Sequence, residues 1–163
     1  MKTIALAGTF DTKGQEFLYV KELIEKLGIR PFTIHTGVFE PLFEPDVSNR
    51  EIVESAGYDL DDLIQKHDRA QATKAIAAGM EILIPRLYQE GKFDGILSFG
   101  GSGGTSLATA AMRALPIGVP KVMVSTMASG NVEQYVGTSD IVMIPSIVDV
   151  AGLNAISKTI FRN

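Results

Sequence analysis

The sequence of 163 residues contains no cysteine. That removes disulfides, thiolate catalysis and cysteine-ligated zinc together, and it fits a reducing, cytoplasmic setting, the expected location. There are only two histidines, His35 and His67, well separated along the chain. No metal site is expected from them, and core or surface roles account for both. No run of about 18 apolar residues occurs, so no membrane-spanning helix and no membrane partner are expected. The apolar N-terminus Met1–Gly8 is too short for a secretory signal, and Asp11 and Lys13 follow at once. A basic block is missing too: 15 Lys and Arg stand against 19 Asp and Glu, a net charge of −4. This argues against a nucleic-acid-binding surface. It still allows one anion site built from backbone amides. Internal repeats and low-complexity linkers are absent.

What is present is an ordinary globular composition, 45% hydrophobic and 21% charged, at a length that suits a single domain spanning residues 1–163. Short apolar runs alternate with longer segments of helical period, the pattern of a parallel sheet with crossover helices. Strands are expected at Ile4–Ala7, Pro31–Thr36, Gly95–Phe99, Val122–Thr126 and Ile141–Ile144. Helix is expected from Gly14 to Leu27, where Phe17, Val20, Leu23, Ile24 and Leu27 share helical spacing and Gly28 is a stop. Ser48-Asn49-Arg50-Glu51 has capping-box spacing and should open a short helix ending near Gly57. A further helical stretch begins near Asp59, and a long one runs from Arg69 to Glu90, with Pro85 expected to kink or split it. The small-residue segment Thr105–Leu115 reads as the helix between the third and fourth strands. The connection Gly37–Asn49 is long enough to be functional or mobile. Its acidic residues Glu40, Glu44 and Asp46 are read as solvated.

Three strand-to-helix junctions carry the chemistry. The first is Phe99-Gly100-Gly101-Ser102-Gly103-Gly104-Thr105. Glycines this dense are costly in chain entropy unless the backbone needs positive φ or a ligand comes close. A strand–glycine–helix junction aims free N–H groups and the positive helix end at an anion. Ser102, Thr105 and Ser106 add hydroxyls; the plain alternative is a tight turn with glycines for packing. No Walker-type lysine follows, and Ser106 takes the third glycine position of the dinucleotide fingerprint. Ser125-Thr126 stands where that fingerprint's ribose-binding acid belongs, so hydride transfer is disfavoured. The second junction is Gly8-Thr9-Phe10-Asp11-Thr12-Lys13-Gly14. There Lys13 could neutralise a phosphate, and Asp11 could orient a ribose, a metal or a loop amide. The alternative is that Asp11 and Thr12 cap the helix. The third is Ser125-Thr126-Met127-Ala128-Ser129-Gly130-Asn131, small and polar enough to wall a flat ligand. All three should meet at the carboxyl edge of one sheet. Asp149 follows the last strand and is a candidate base or metal ligand at that edge.

The two glycine-bearing junctions, together with Pro120–Asn131, Tyr135–Ile141, Pro45–Ser48 and Asp149–Asn154, resemble the N-terminal ATP-binding domain of a particular family. It consists of bacterial and fungal proteins whose plant member is the inhibitor of tomato mosaic virus RNA replication. The resemblance spans essentially the whole chain. It implies an α/β, Rossmann-like parallel sheet with helices on both faces, ATP as ligand, and pairing into a homodimer; Mg²⁺ would come with the ATP that usually carries it, since the sequence offers no evident protein ligand set for it. It also implies a second, barrel-like domain after this one, which would account for a terminal amphipathic helix, Ala155–Phe161, that stops without a cap. Carried over by position, Gly100, Gly101, Ser102, Gly103, Gly104 and Thr105 would hold phosphates. Gly8, Thr9, Phe10, Asp11, Thr12 and Lys13 would flank them, and Ser125, Thr126, Met127, Ser129, Gly130 and Asn131 would line the nucleoside side. Two alternatives stay open. One is an enzyme acting on a phosphate-bearing substrate, with Asp11 or Asp149 catalytic and activity requiring the further domain. The other is an oligomerisation module using the Gly37–Asn49 connection.

Overall fold

Five short apolar runs pair side by side, all parallel, in a computed structural model that describes every residue from Met1 to Asn163. They are β1 (Thr3–Gly8), β2 (Arg30–His35), β3 (Gly95–Gly100), β4 (Lys121–Ser125) and β5 (Val142–Pro145), in spatial order β2-β1-β3-β4-β5. Seven helices complete the chain: α1 (Gly14–Lys26), α2 (Asn49–Ser55), α3 (Leu60–Gln65), α4 (Arg69–Gln89), α5 (Ser102–Arg113), α6 (Glu133–Val136) and α7 (Ala155–Arg162). The result is the expected Rossmann-like α/β fold. Side chains alternate across each strand, so one face of the sheet, with Ala5, Ile34, Ile96 and Met123, joins the core beneath α2–α5. The other, with Leu6, Phe99 and Val124, packs on Phe17, Val20 and Ile24 of α1.

This strand order reverses direction between β1 and β3. The chain leaves β1 for β2 on one side, and leaves β3 for β4 on the other. At such a switch point the two strand-to-helix junctions part and open a crevice at the carboxyl edge. The sequence supplies that crevice with its glycine-rich junctions.

Three local expectations change. Helix α5 begins at Ser102, three residues earlier than its apolar pattern implied, because Gly101 serves as N-cap and Ser102–Gly104 form its first turn. Helix α4 runs unbroken through Pro85. The missing N–H frees only the carbonyl of exposed Glu81, while buried Leu83, Ile84 and Leu87 hold the turn against the core. The one-turn helix α6 lies where no helix was expected.

The Gly37–Asn49 connection is anchored. The Asp46 carboxylate accepts hydrogen bonds from the Thr33 amide at 2.7 Å and the Thr33 hydroxyl at 2.8 Å, so it is not simply solvated. Val47 bridges to Ile34 and covers the outer edge of β2.

Candidate functional site

The crevice is real and narrow. A cleft with a cavity volume of about 40 Å³ lies between the end of β1 (Ala7, Gly8, Thr9, with Lys13) and the end of β3 (Ser98, Gly100, Gly101, with Gly104). Thr36, which follows β2 and donates its amide to the Gly8 carbonyl at 2.8 Å, closes one side. Sequence reasoning missed Thr36 and Ser98; their signal is position at a strand's carboxyl end, legible only once strand order is known.

Helix α5 begins at this cleft, and α1 begins beside it, with Lys13 lining the cleft and Gly14–Glu16 lining the neighbouring depression; neither helix is capped. Helix α5 starts at Gly101 with no side-chain cap, and α1 starts at Lys13 likewise. The four other helices longer than one turn (α2, α3, α4 and α7) are capped by Ser48, Asp59, Asp68 and Asn154. An uncapped first turn leaves orphan N–H donors carrying the positive end of the helix dipole. The first intrahelical bond of α5 is Thr105 N–H to the Gly101 carbonyl, at 2.9 Å, so the amides of Gly101, Ser102, Gly103 and Gly104 take no partner from the protein. Capping of α1 by Asp11 or Thr12 is not what forms.

The glycines of this junction need neither of the two ordinary explanations. Positive φ occurs at Gly28, Gly57, Gly91, Gly118, Gly137 and Gly152, none of them here. Nor is packing the reason. A Cβ at Gly101 or Gly104 would find its nearest neighbour 3.8 or 4.0 Å away, and at Gly103 nothing lies within 4 Å. Gly8 is different: a Cβ there would sit 1.8 Å from the Phe17 ring, so its glycine is demanded by the core. Gly103 is exposed and does not line the cleft, while Gly104 does.

Several expected contacts are used up inside the protein. Phe10 is fully buried, with its ring against Phe17, His35 and Phe43, and cannot line a ligand site. Thr105 and Ser125 are also fully buried, their hydroxyls 2.6 Å apart, which ties the β3 and β4 junctions together. Asp11 faces a neighbouring depression with Thr12, Glu16 and Leu42. Its carboxylate accepts from the amides of Thr12 at 2.9 Å and Phe39 at 3.1 Å, so it organises two loops and holds the Gly37–Asn49 connection against β1. The Thr12 hydroxyl donates to that of Thr9 at 2.9 Å. Buried His35 does the same work from below: its Nδ1 accepts from the Phe10 amide at 3.2 Å and its Nε2 pairs with the Phe39 carbonyl at 2.8 Å. The first bond makes Nδ1 the acceptor, so Nε2 carries the proton and donates.

Thr126 and Ser129 line a second, wider pocket of about 300 Å³ together with Ser146, Ile147 and Asp149. Thr126 borders Gly101, so this pocket adjoins the cleft. Asp149 thus does reach the carboxyl edge. Ile147 at its rim is β-branched, 74% exposed and held at φ +67°, a conformation costing of order 1–3 kcal/mol. Met127 is half-buried and Gly130 exposed. Asn131 lies outside the site, where its Oδ1 accepts from the Glu133 amide at 2.9 Å at the start of α6.

Charge in the cleft comes from Lys13, which has no carboxylate partner among the protein's ion pairs. The carboxyls held below their ordinary range all lie elsewhere: Asp94 beside Lys2, Asp61 beside Arg50, and Asp140 beside Lys121. No group of three or more His, Asp or Glu side chains converges.

A family model described as "Uncharacterised protein family (UPF0261) N-terminal domain" matches residues 2–163. A UPF0261 protein of Clostridium tetani is 46% identical over 163 residues, which is 99% of this chain and 40% of that protein. One of Rhizobium meliloti is 40% identical, again over 40% of its length. The ToMV resistance protein Tm-1(GCR237) of Solanum lycopersicum is 45% identical over 95 residues, 58% of this chain and 13% of that protein. The chain therefore spans about 40% of the bacterial relatives it matches. No helix is long and apolar enough to cross a membrane.

Proposed function

The chain belongs to the UPF0261 family as its N-terminal domain, and for this member we propose that the switch-point cleft binds ATP. The observation that carries the reading is the uncapped N-terminus of α5 at Gly101 beside the cleft, faced by Lys13 at the start of α1. The free amides of Gly101 and Gly104, which line the cleft, donate to phosphate oxygens, and Lys13 adds the compensating charge. Glycines that neither φ nor packing requires leave the backbone open to close approach. The nucleoside lies toward Thr126, Ser129 and Asp149. Mg²⁺ enters with the nucleotide, coordinated chiefly by phosphate and water.

The same reading places the protein in the cytoplasm, where ATP is abundant. It forms a homodimer in which Phe39 and Leu42, 55% and 52% exposed on the Gly37–Asn49 connection, provide apolar contact. A second reading, an enzyme acting on a phosphate-bearing substrate, is favoured by one observation: Asp149 sits exposed in the adjoining pocket, whereas Asp11 is committed to loop amides. Sustained ATP turnover that disappears in Asp149→Asn would select it.

Thermal unfolding tests the first reading. A hundredfold excess of ATP over its Kd adds about 2.7 kcal/mol, which raises the melting temperature by about 5–10 °C in a domain of this size. No shift at millimolar ATP with Mg²⁺ contradicts it.

A further inference from the structure

The two faces of the sheet are covered unequally. Beneath α2–α5 lies a core of 26 buried residues; the opposite face has eight, with only α1 and α7 on that side. Between those two helices and the strands runs an apolar groove of about 530 Å³. Leu97, Val122, Val124 and Ile144 form its floor, and Leu23 and Phe161 its walls. Beside it, Val142 on β5 is 55% exposed and Leu27 at the end of α1 is 74% exposed. All-parallel sheets are normally buried on both faces, because their strands are apolar on both sides. A continuous apolar face of this kind marks a partner surface.

The groove has few polar groups to orient a small ligand. Its occupant is indicated by the family. The matching model describes an N-terminal domain, and the matched segment is 40% of the bacterial relatives, so most of their chain follows it. Helix α7 borders the groove, and residues 160–163 line it. In the longer relatives the continuing chain therefore emerges beside this face, tethered at high effective concentration. We propose that the groove over β3–β5 is the docking surface for the polypeptide that follows this domain in the longer family members, which seats an apolar element between α1 and α7.

The absence of native cysteine gives a direct test. Val142→Cys places a thiol beside the groove, and Ile82→Cys, at a position 50% exposed on α4, is the control. Labelling rates are read by peptide mass spectrometry in the 163-residue chain and in a fusion to the C-terminal portion of the Clostridium tetani relative. Should the fusion be insoluble, that portion is added as a separate chain. The proposal expects labelling at position 142 to slow at least tenfold in the longer form, with position 82 unchanged. Equal rates at 142 in both forms overturn it. So does slow, concentration-dependent labelling of the short chain alone, which would make a second copy the occupant.

Discussion

Replacing Gly104 by alanine should stabilise the protein and abolish its ATP response at once. Gly104 lies in the first turn of α5 without positive φ, and an added Cβ meets nothing closer than the Phe99 carbonyl at 4.0 Å. Such a replacement restricts the unfolded chain and is worth about 0.4–1 kcal/mol, or about 1–4 °C in melting temperature. The same methyl group projects into the cleft, where phosphate must reach bare backbone. Gly103→Ala is the matched control, since its Cβ enters open space and Gly103 does not line the cleft. In scanning calorimetry both variants should melt above the wild type without nucleotide. With saturating ATP and Mg²⁺, Gly103→Ala should keep the wild-type shift of about 5–10 °C, while Gly104→Ala should lose most of it. Equal ATP shifts in the two variants would refute the assignment of phosphate to this junction. A drop in the nucleotide-free melting temperature of Gly104→Ala would show that packing, not a ligand, requires the glycine.

Three further outcomes follow from named contacts. Lys13→Met removes a charge-assisted contact worth about 1.5–3 kcal/mol. It should weaken ATP binding roughly tenfold or more by titration calorimetry, with melting unchanged because Lys13 holds no ion pair. Asp140 accepts from the fully buried Lys121 ammonium at 2.6 Å and from the Gly118 amide at 2.7 Å, which hold its carboxyl down from 3.8 to about 2. A depressed carboxyl contributes stability above its unfolded pKa that is lost as pH falls through the folded value. Wild-type melting should therefore fall between pH 4 and 2, and Asp140→Asn should melt lower at neutral pH with a shallower acid slope. His35→Phe strands the Phe10 amide, a buried donor, at a cost of about 1–3 kcal/mol; urea unfolding should show the loss, and proteolysis should open the Gly37–Asn49 connection.

The fold was largely legible because its signals are local. Each apolar run of β1–β5 is bounded by turn residues, and the Ser48 capping box fixes the start of α2 within one residue. The start of α5 was not legible, because Ser102–Gly104 have poor helix propensity and the helix has no side-chain cap to mark it. Pro85 misled because burial of its neighbours outweighs one lost hydrogen bond. At the candidate site, the convergence of two junctions could be inferred from α/β topology. The fate of single side chains could not. Phe10, Thr105 and Ser125 look like ligand contacts in sequence and are spent on the core, since only the packed structure reveals which hydroxyl or ring faces inward. Asp11 is the clearest case, a carboxylate whose two oxygens are drawn to Thr12 and to Phe39, 28 residues away.

A crystal structure with a non-hydrolysable ATP analogue and Mg²⁺ locates the anion directly. Phosphate oxygens should lie within hydrogen-bonding distance of the Gly101 and Gly104 amides, with the Lys13 ammonium beside them and the base toward Thr126 and Asp149. Nucleotide bound away from the β1–β3 cleft, or no nucleotide at millimolar concentration, would contradict this placement.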